Sequence, residues 1–293
     1  MGATGLLGTA LCRSLRESGI AVTAYSRGHI SGDLERAHWD PDHGEIDTAP
    51  LAQSDAVVNL AGESLVGGRW TKARKERLVR SRVHSTQLLV RTLGSLPNRP
   101  HILINGSAVG FYGDCGEDSV TESKPRGEGF LADLCAQWEA AAMEAAEHGI
   151  RVVLLRTSMV LSREGGALAS LLPLFRAGLG GQLGPGRQYF PWITLHDAVR
   201  VIRFAIETPS LVGPLNVVAP EATRNSEFTA TLASVLHRPA FMRVPKFALR
   251  VTMGEVADEL LLSGACVNPA KLEQTGFRFD YPRLVDALSS VID

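Results

Sequence analysis

Three glycines at intervals of three, Gly2, Gly5 and Gly8, stand at the head of the chain and run into an amphipathic stretch ending at Gly19. This feature constrains the fold more than any other. The free N–H groups of a helix's first turn attract anions, and side chains there would block the approach of a pyrophosphate. Taken alone, the triplet also describes a tight turn. Here, however, the next segment, 20–25, is rich in β-branched residues and reads as a strand.

The alternation continues along the chain. Asp55-Ala-Val-Val-Asn-Leu60 is a short apolar run of the kind a strand buried on both faces shows. A helix is predicted over 71–93, a strand over 101–105 after Pro100, and a helix over 128–148 capped by Gly149. Arg151-Val-Val-Leu-Leu155 is the next strand, a helix starts near Asp197, and 215–218 is one more strand. Strands alternating with helices of this length specify a doubly wound parallel α/β sheet of the Rossmann type. Residues 1–220 are expected to form that dinucleotide-binding domain, with a small, mainly helical C-terminal domain over 239–290. The glycine fingerprint normally follows a strand, and none stands before Gly2. The sheet is therefore expected to lack its first strand, with a gap in the ladder that six to eight apolar residues would fill.

Composition narrows the partners. A net charge of -1 argues against nucleic-acid binding, which rests on a basic surface. No apolar run has the ~18 residues of a membrane span, and no signal peptide opens the sequence, so a cytoplasmic protein without a membrane partner is expected. Four cysteines without a CxxC pair exclude a disulfide scaffold or zinc ribbon, and scattered histidines give no metal site.

The residues after the second predicted strand select the nucleotide. An acidic residue there reads a ribose 2′-OH, whereas a basic one suits a 2′-phosphate. Ser26-Arg27 offers a hydroxyl and a guanidinium, so NADP(H) is the expected cofactor. The glycine-loop contacts would come from Gly2, Thr4, Gly5, Leu6, Leu7 and Gly8.

GATGLLG, VVNLAGE (57–63), INGSAVGFYG (104–113) and FPWITLHDAV (190–199) together resemble an atypical extended short-chain dehydrogenase/reductase. The likeness is to epimerase-family oxidoreductases with a small extra C-terminal domain. By position, it implies that Leu60, Ala61 and Gly62 line the cofactor, and that Arg82 faces it where such proteins usually carry an asparagine; Glu63, directly after the strand, is expected either to contact the ligand or to cap the next segment. It also implies that Thr157 and Val160 lie beside the nicotinamide. Within the basic run 69–82, Arg77 and Arg82 are expected to point inward and the rest to form a solvated face.

Departures from the family pattern bear on chemistry. Ordinary members carry Tyr and Lys as YxxxK on the helix of 128–148, where the Tyr handles a proton. Those positions fall on Leu131 and Cys135. Ser107 remains as a donor to a substrate oxygen, and Tyr112 is the candidate substitute acid, although a Tyr packed at the start of a loop is the favoured reading. The arginine that holds sugar-nucleotide phosphates is replaced near Phe190, and Phe190 and Trp192 are expected to make the pocket apolar, against a UDP-sugar. Asp197 reads as a helix cap, and Glu117, Asp118 and Glu122 as solvated loop residues. Two functions follow: an NADP(H)-dependent oxidoreductase or epimerase acting on an unidentified small molecule, or a non-catalytic NADP(H)-binding protein that controls a protein partner. The second suits relatives linked to cell or plastid division.

Overall fold

A computed structural model describes residues 1–28 and 34–292. Numbered along the chain, the strands fall into one central sheet and several small ones. Strands β4 (Ala56–Asn59), β5 (Ile102–Ala108), β7 (Arg151–Thr157) and β11 (Gly213–Val217) form a parallel sheet in the order β11-β7-β5-β4. Strands β1 (Thr23–Ser26), β2 (Glu35–Asp40) and β3 (Glu45–Ile46) form a second sheet, with β1 and β2 parallel.

Side-chain period explains why the central sheet is covered on both faces. Along β5, Ile102 and Ile104 point one way and Leu103 the other; along β7, Val153 and Leu155 oppose Val152 and Leu154. The first set packs against Leu11 of α1 (Leu6–Glu17) and Val199, Val201 and Ile202 of α6 (Leu195–Glu207). The second packs against Leu89 and Leu93 of α3 (Ser85–Ser95) and Ala142 of α4 (Phe130–Met143). Near-continuous apolar strands between two helical layers are what a parallel sheet requires.

The predicted helix over 71–93 is α2 (Lys72–Val79), a π-helical turn at Arg80–His84, and α3. Thr71 caps it by accepting from the backbone N–H of Arg74. Beyond β7, β8 (Met159–Leu161) pairs with β10 (Trp192–Thr194), and α5 (Gly166–Arg176) lies between them in sequence. The C-terminal segment is woven into the body rather than set apart. β12 (Met242–Val244) pairs with β9 (Gly181–Leu183), and β13 (Cys266–Val267) pairs with β6 (Ser119–Val120). Leu284, Ala287 and Leu288 of α11 (Leu284–Ile292) share a core with Phe228 and Leu232 of α7 (Asn225–Val235). Helices α8 (Lys246–Met253), α9 (Glu255–Ala257) and α10 (Ala270–Gln274) complete the segment.

Several expectations are corrected. The cap of α6 is Thr194, whose hydroxyl accepts from the Asp197 N–H; Asp197 is fully buried and accepts from the N–H groups of Asp280 and Tyr281. Glu122 is buried, not solvated, and accepts from the N–H groups of Asn216 and Lys271. Trp192 is a core residue whose indole donates to Thr223, and Phe190 stacks edge-on against buried Phe228. Trp192 is not free to wall a pocket, because β10 turns it into the interior.

The gap in the ladder is present. Between β1 and β4 lies a cavity of about 700 Å³ lined by Leu11, Leu15, Val22, Ala24, Val57 and Val58, among others. Met1 lines it too, donating through its amine to the Val58 carbonyl and accepting from the Leu60 N–H.

Candidate nucleotide cleft

The glycines do what the spacing asks. Gly2 has φ +78, a left-handed conformation that favours glycine, and a Cβ there would lie 2.7 Å from the Leu60 carbonyl carbon. A Cβ on Gly8 would lie 2.1 Å from the Gly2 oxygen. The loop is thereby pressed onto the end of β4, and α1 starts at once. Its N-cap, Gly5, has no capping side chain, and no acid stands in the first turn. The first-turn N–H groups are left for an anion. Leu7, Leu60 and Val160 pack on one core cluster, and Leu6 lies beside Gly165 and Gly166. So the loop, the end of β4 and the start of β8 meet at the carboxyl ends of the strands, where ligands bind in open α/β sheets. Thr157 ends β7 beside them, its hydroxyl donating to the Leu155 carbonyl.

The loop after β4 rests on a buried guanidinium. The π-helical turn brings Arg82 inward, to 9% exposure, where it donates to the Glu63 carbonyl at 2.8 Å and lies 5.4 Å over the Trp138 ring. A Cβ on Gly62 would sit 3.0 Å from its central carbon. Burial lowers the Arg82 pKa, and no carboxylate pairs with it among the described residues. A neighbouring phosphate would offset that desolvation. Glu63 is already engaged, by Arg74 and at 3.4 Å by Arg77. Arg77 is half exposed, which corrects its expected inward position; its partner Glu63 holds it at the rim. Below the loop, Asn59 donates to Asn105 at 2.7 Å and to Thr86 at 3.0 Å, and Trp138 also donates to Thr86.

Ser26 ends β1, and Arg27 follows it. The Arg27 guanidinium is 68% exposed and meets Asp42 at 3.4 Å, and the Ser26 hydroxyl donates to the Gly28 carbonyl. An exposed pair like this holds weakly, leaving Arg27 able to turn toward a phosphate. The segment 29–33 beyond it lies outside the described residues.

The expected catalytic groups are tied into the protein. Helix α4 lies against β5 as its alignment requires: a Cβ on Gly106 would meet Trp138 at 2.7 Å, and one on Gly110 would meet Leu131 at 3.3 Å. Leu131 and Cys135 are both buried, and burial pushes the Cys135 thiol up to about 11. The Ser107 hydroxyl donates to Glu139 at 2.6 Å. Glu139 also makes a bidentate pair with Arg156, at 2.9 and 2.8 Å. Arg156 in turn donates to the Tyr112 hydroxyl at 3.0 Å and stacks 3.5 Å from the Phe111 ring centre. Tyr112 is 1% exposed and donates to Asn216 at 2.6 Å, and its burial raises its pKa. Neither hydroxyl points a free proton at the cleft. Glu139 and Arg156 escaped sequence reading because their partners lie on different elements. The polar Asn59 and Asn105, in register on otherwise apolar strands, were a visible signal.

The fold and this cleft define a dinucleotide-binding α/β protein of the extended kind. The chain belongs to the NAD dependent epimerase/dehydratase family, whose model matches residues 1–218; residues 244–291 match a domain of unknown function, DUF1731. Among similar proteins, an epimerase family protein of Mycobacterium leprae is 42% identical over 98% of this chain and 93% of its own. The human epimerase family protein SDR39U1, in a crystal structure with NADPH, superposes with a TM-score of 0.89 at 34% identity, covering 99% of this chain and 97% of that one. A nucleoside-diphosphate sugar epimerase from Corynebacterium glutamicum gives 0.82 at 31% identity, covering 99% of this chain and 57% of that one.

Proposed function

We propose that this protein binds NADP(H) in the cleft and is an oxidoreductase or epimerase of the family acting on a small molecule that is not a UDP-sugar. The observation that carries the cofactor is the uncapped, acid-free first turn of α1, framed by Gly2 and Gly8, where a side chain would clash with the backbone. Support comes from the human relative's crystal structure with NADPH. When bound, the nicotinamide supplies hydride exchange. The chain's own residues bind and orient it. The α1 N–H groups and Arg82 take the pyrophosphate, Arg27 and Ser26 the 2′-phosphate, and Thr157 and Val160 flank the nicotinamide.

The alternative, a non-catalytic NADP(H)-binding protein that signals occupancy to a protein partner, is favoured by one specific feature. Ser107 and Tyr112 are both consumed by the Glu139–Arg156 and Asn216 contacts, Leu131 has no ionisable group, and the buried Cys135 thiol, pushed up to about 11, stays protonated at neutral pH. Three measurements separate the readings: NADPH affinity by calorimetry, NADPH absorbance during incubation with a broad metabolite extract, and chromatographic profiling of that extract for isomerised products, because an epimerase returns its hydride and leaves the cofactor unchanged. Binding with oxidation of the cofactor, or with isomerised products, establishes the enzyme. Binding without turnover of any metabolite establishes the second reading, and no binding refutes both.

A further inference from the structure

Eleven large apolar side chains stand exposed among the described residues, and six gather on one face remote from the glycine loop in sequence: Leu174, Leu179, Phe241, Met242, Phe247 and Val251. The elements that carry them adjoin. Met242 pairs with Gly181 across β9 and β12, a Cβ on Gly178 would lie 3.6 Å from Pro239, and one on Gly184 would lie 3.0 Å from Lys246. On α8, Leu249 is buried while Phe247 and Val251, one turn apart, face out. A monomer seldom exposes so concentrated an apolar area without use.

The segments that carry these side chains have one sign of charge; Asp258, just outside them, is paired with Arg250. Segments 165–196 and 228–254 contain no Asp or Glu, in a chain with 31 such residues. Arg176, Arg238, Arg243 and Lys246 are exposed and make no ion pair among the described residues. The complement is therefore anionic. A second copy docked through this face would set cation against cation. Phe241 and Phe247, 80% and 70% exposed, project outward rather than line a groove that could grip a helix.

We propose that this face seats on an anionic lipid surface. The aromatic and aliphatic side chains would enter the boundary between headgroups and acyl chains, while Arg176, Arg238, Arg243 and Lys246 reach the phosphates. This is surface seating: no helix among the described residues is long and apolar enough to cross a membrane.

The test is cosedimentation of the full chain with vesicles of phosphatidylcholine alone or with about a quarter phosphatidylglycerol, at low and high salt. Binding is expected only to the mixed vesicles, weakening as salt screens the attraction. Each cation contributes roughly fivefold, so Arg243→Glu with Lys246→Glu should weaken binding by at least about 25-fold. Phe241→Ser with Phe247→Ser should abolish it while the circular dichroism spectrum and NADPH affinity stay unchanged. No binding to the mixed vesicles overturns the proposal, as does binding that survives the serine pair. A dimer that the serine pair dissolves, or a soluble acidic protein retained by this face in place of lipid, would overturn it too.

Discussion

At the scale of single residues, three side chains make measurable claims. Arg27 is the cation expected to read the 2′-phosphate. A charge-assisted hydrogen bond is worth about 1.5–3 kcal/mol, hence a preference for NADPH over NADH of roughly 10–150-fold. Arg27→Ala should remove most of it in calorimetric titrations, and equal affinity of the unaltered chain for both nucleotides would contradict the assignment. Glu139 neutralises Arg156, whose side chain is 3% exposed. Glu139→Ala leaves that guanidinium buried and unpaired, so stability from urea unfolding should fall by about 3–5 kcal/mol. A loss of under about 1 kcal/mol would show that the pair is dispensable. Cys135 tests burial through pH. Its folded-state pKa of about 11 lies above the unfolded value near 9, so its contribution is complete below pH 9. It is lost as pH rises toward 11, at about 1.4 kcal/mol per unit between the two. Cys135→Ala should flatten that alkaline decline in melting temperature; an unchanged slope would mean another group causes it.

At the scale of elements, the paired helices and strands set what the cleft can do. The open edges of β1 and β4 face one another across the cavity that Leu11, Val22, Ala24 and Val57 line. An apolar segment of about seven residues attached ahead of Met1 would pair with both strands and fill that space. The melting temperature should rise, and NADPH affinity with it, because the added strand would brace the glycine loop against β4. No rise in either would show that the fold is indifferent to the gap. Helix α4 is the other decisive element. With Leu131 packed against Gly110 and the Cys135 thiol buried and pushed up to about 11, it offers no group of suitable pKa to move a proton, a contribution usually worth about 10²–10⁴-fold. A panel of UDP-sugars should therefore show no turnover above background with protein loaded with oxidised NADP+. Epimerisation at an ordinary enzymatic rate would mean that the proton is handled elsewhere.

At the scale of the whole molecule, the sequence by itself determined the periodic features. Alternating apolar runs located each strand of the central sheet, because a strand between two helical layers must be apolar on both faces. The glycine triplet located the cleft, because chain direction and helix dipole leave an anion one place to sit. The empty YxxxK positions were equally plain, since a missing residue type needs no coordinates. Tertiary structure alone decided what depended on partners distant in sequence. Glu122 and Asp197 read as polar loop and cap residues, yet both are buried because backbone N–H groups from 216 and 271, and from 280 and 281, converge on them. Tyr112 read first as a packed loop residue and second as an acid, and Ser107 as a substrate donor; burial bears out the packed Tyr112, while the partners Asn216 and Glu139 come from other elements. The absence of a long apolar run spoke to spanning a membrane and not to lying on one. The cationic, aromatic face exists only because β9 and β12 bring residues sixty positions apart side by side. Periodicity is a local property that the chain carries everywhere, whereas burial and pairing of a polar group belong to the packed whole.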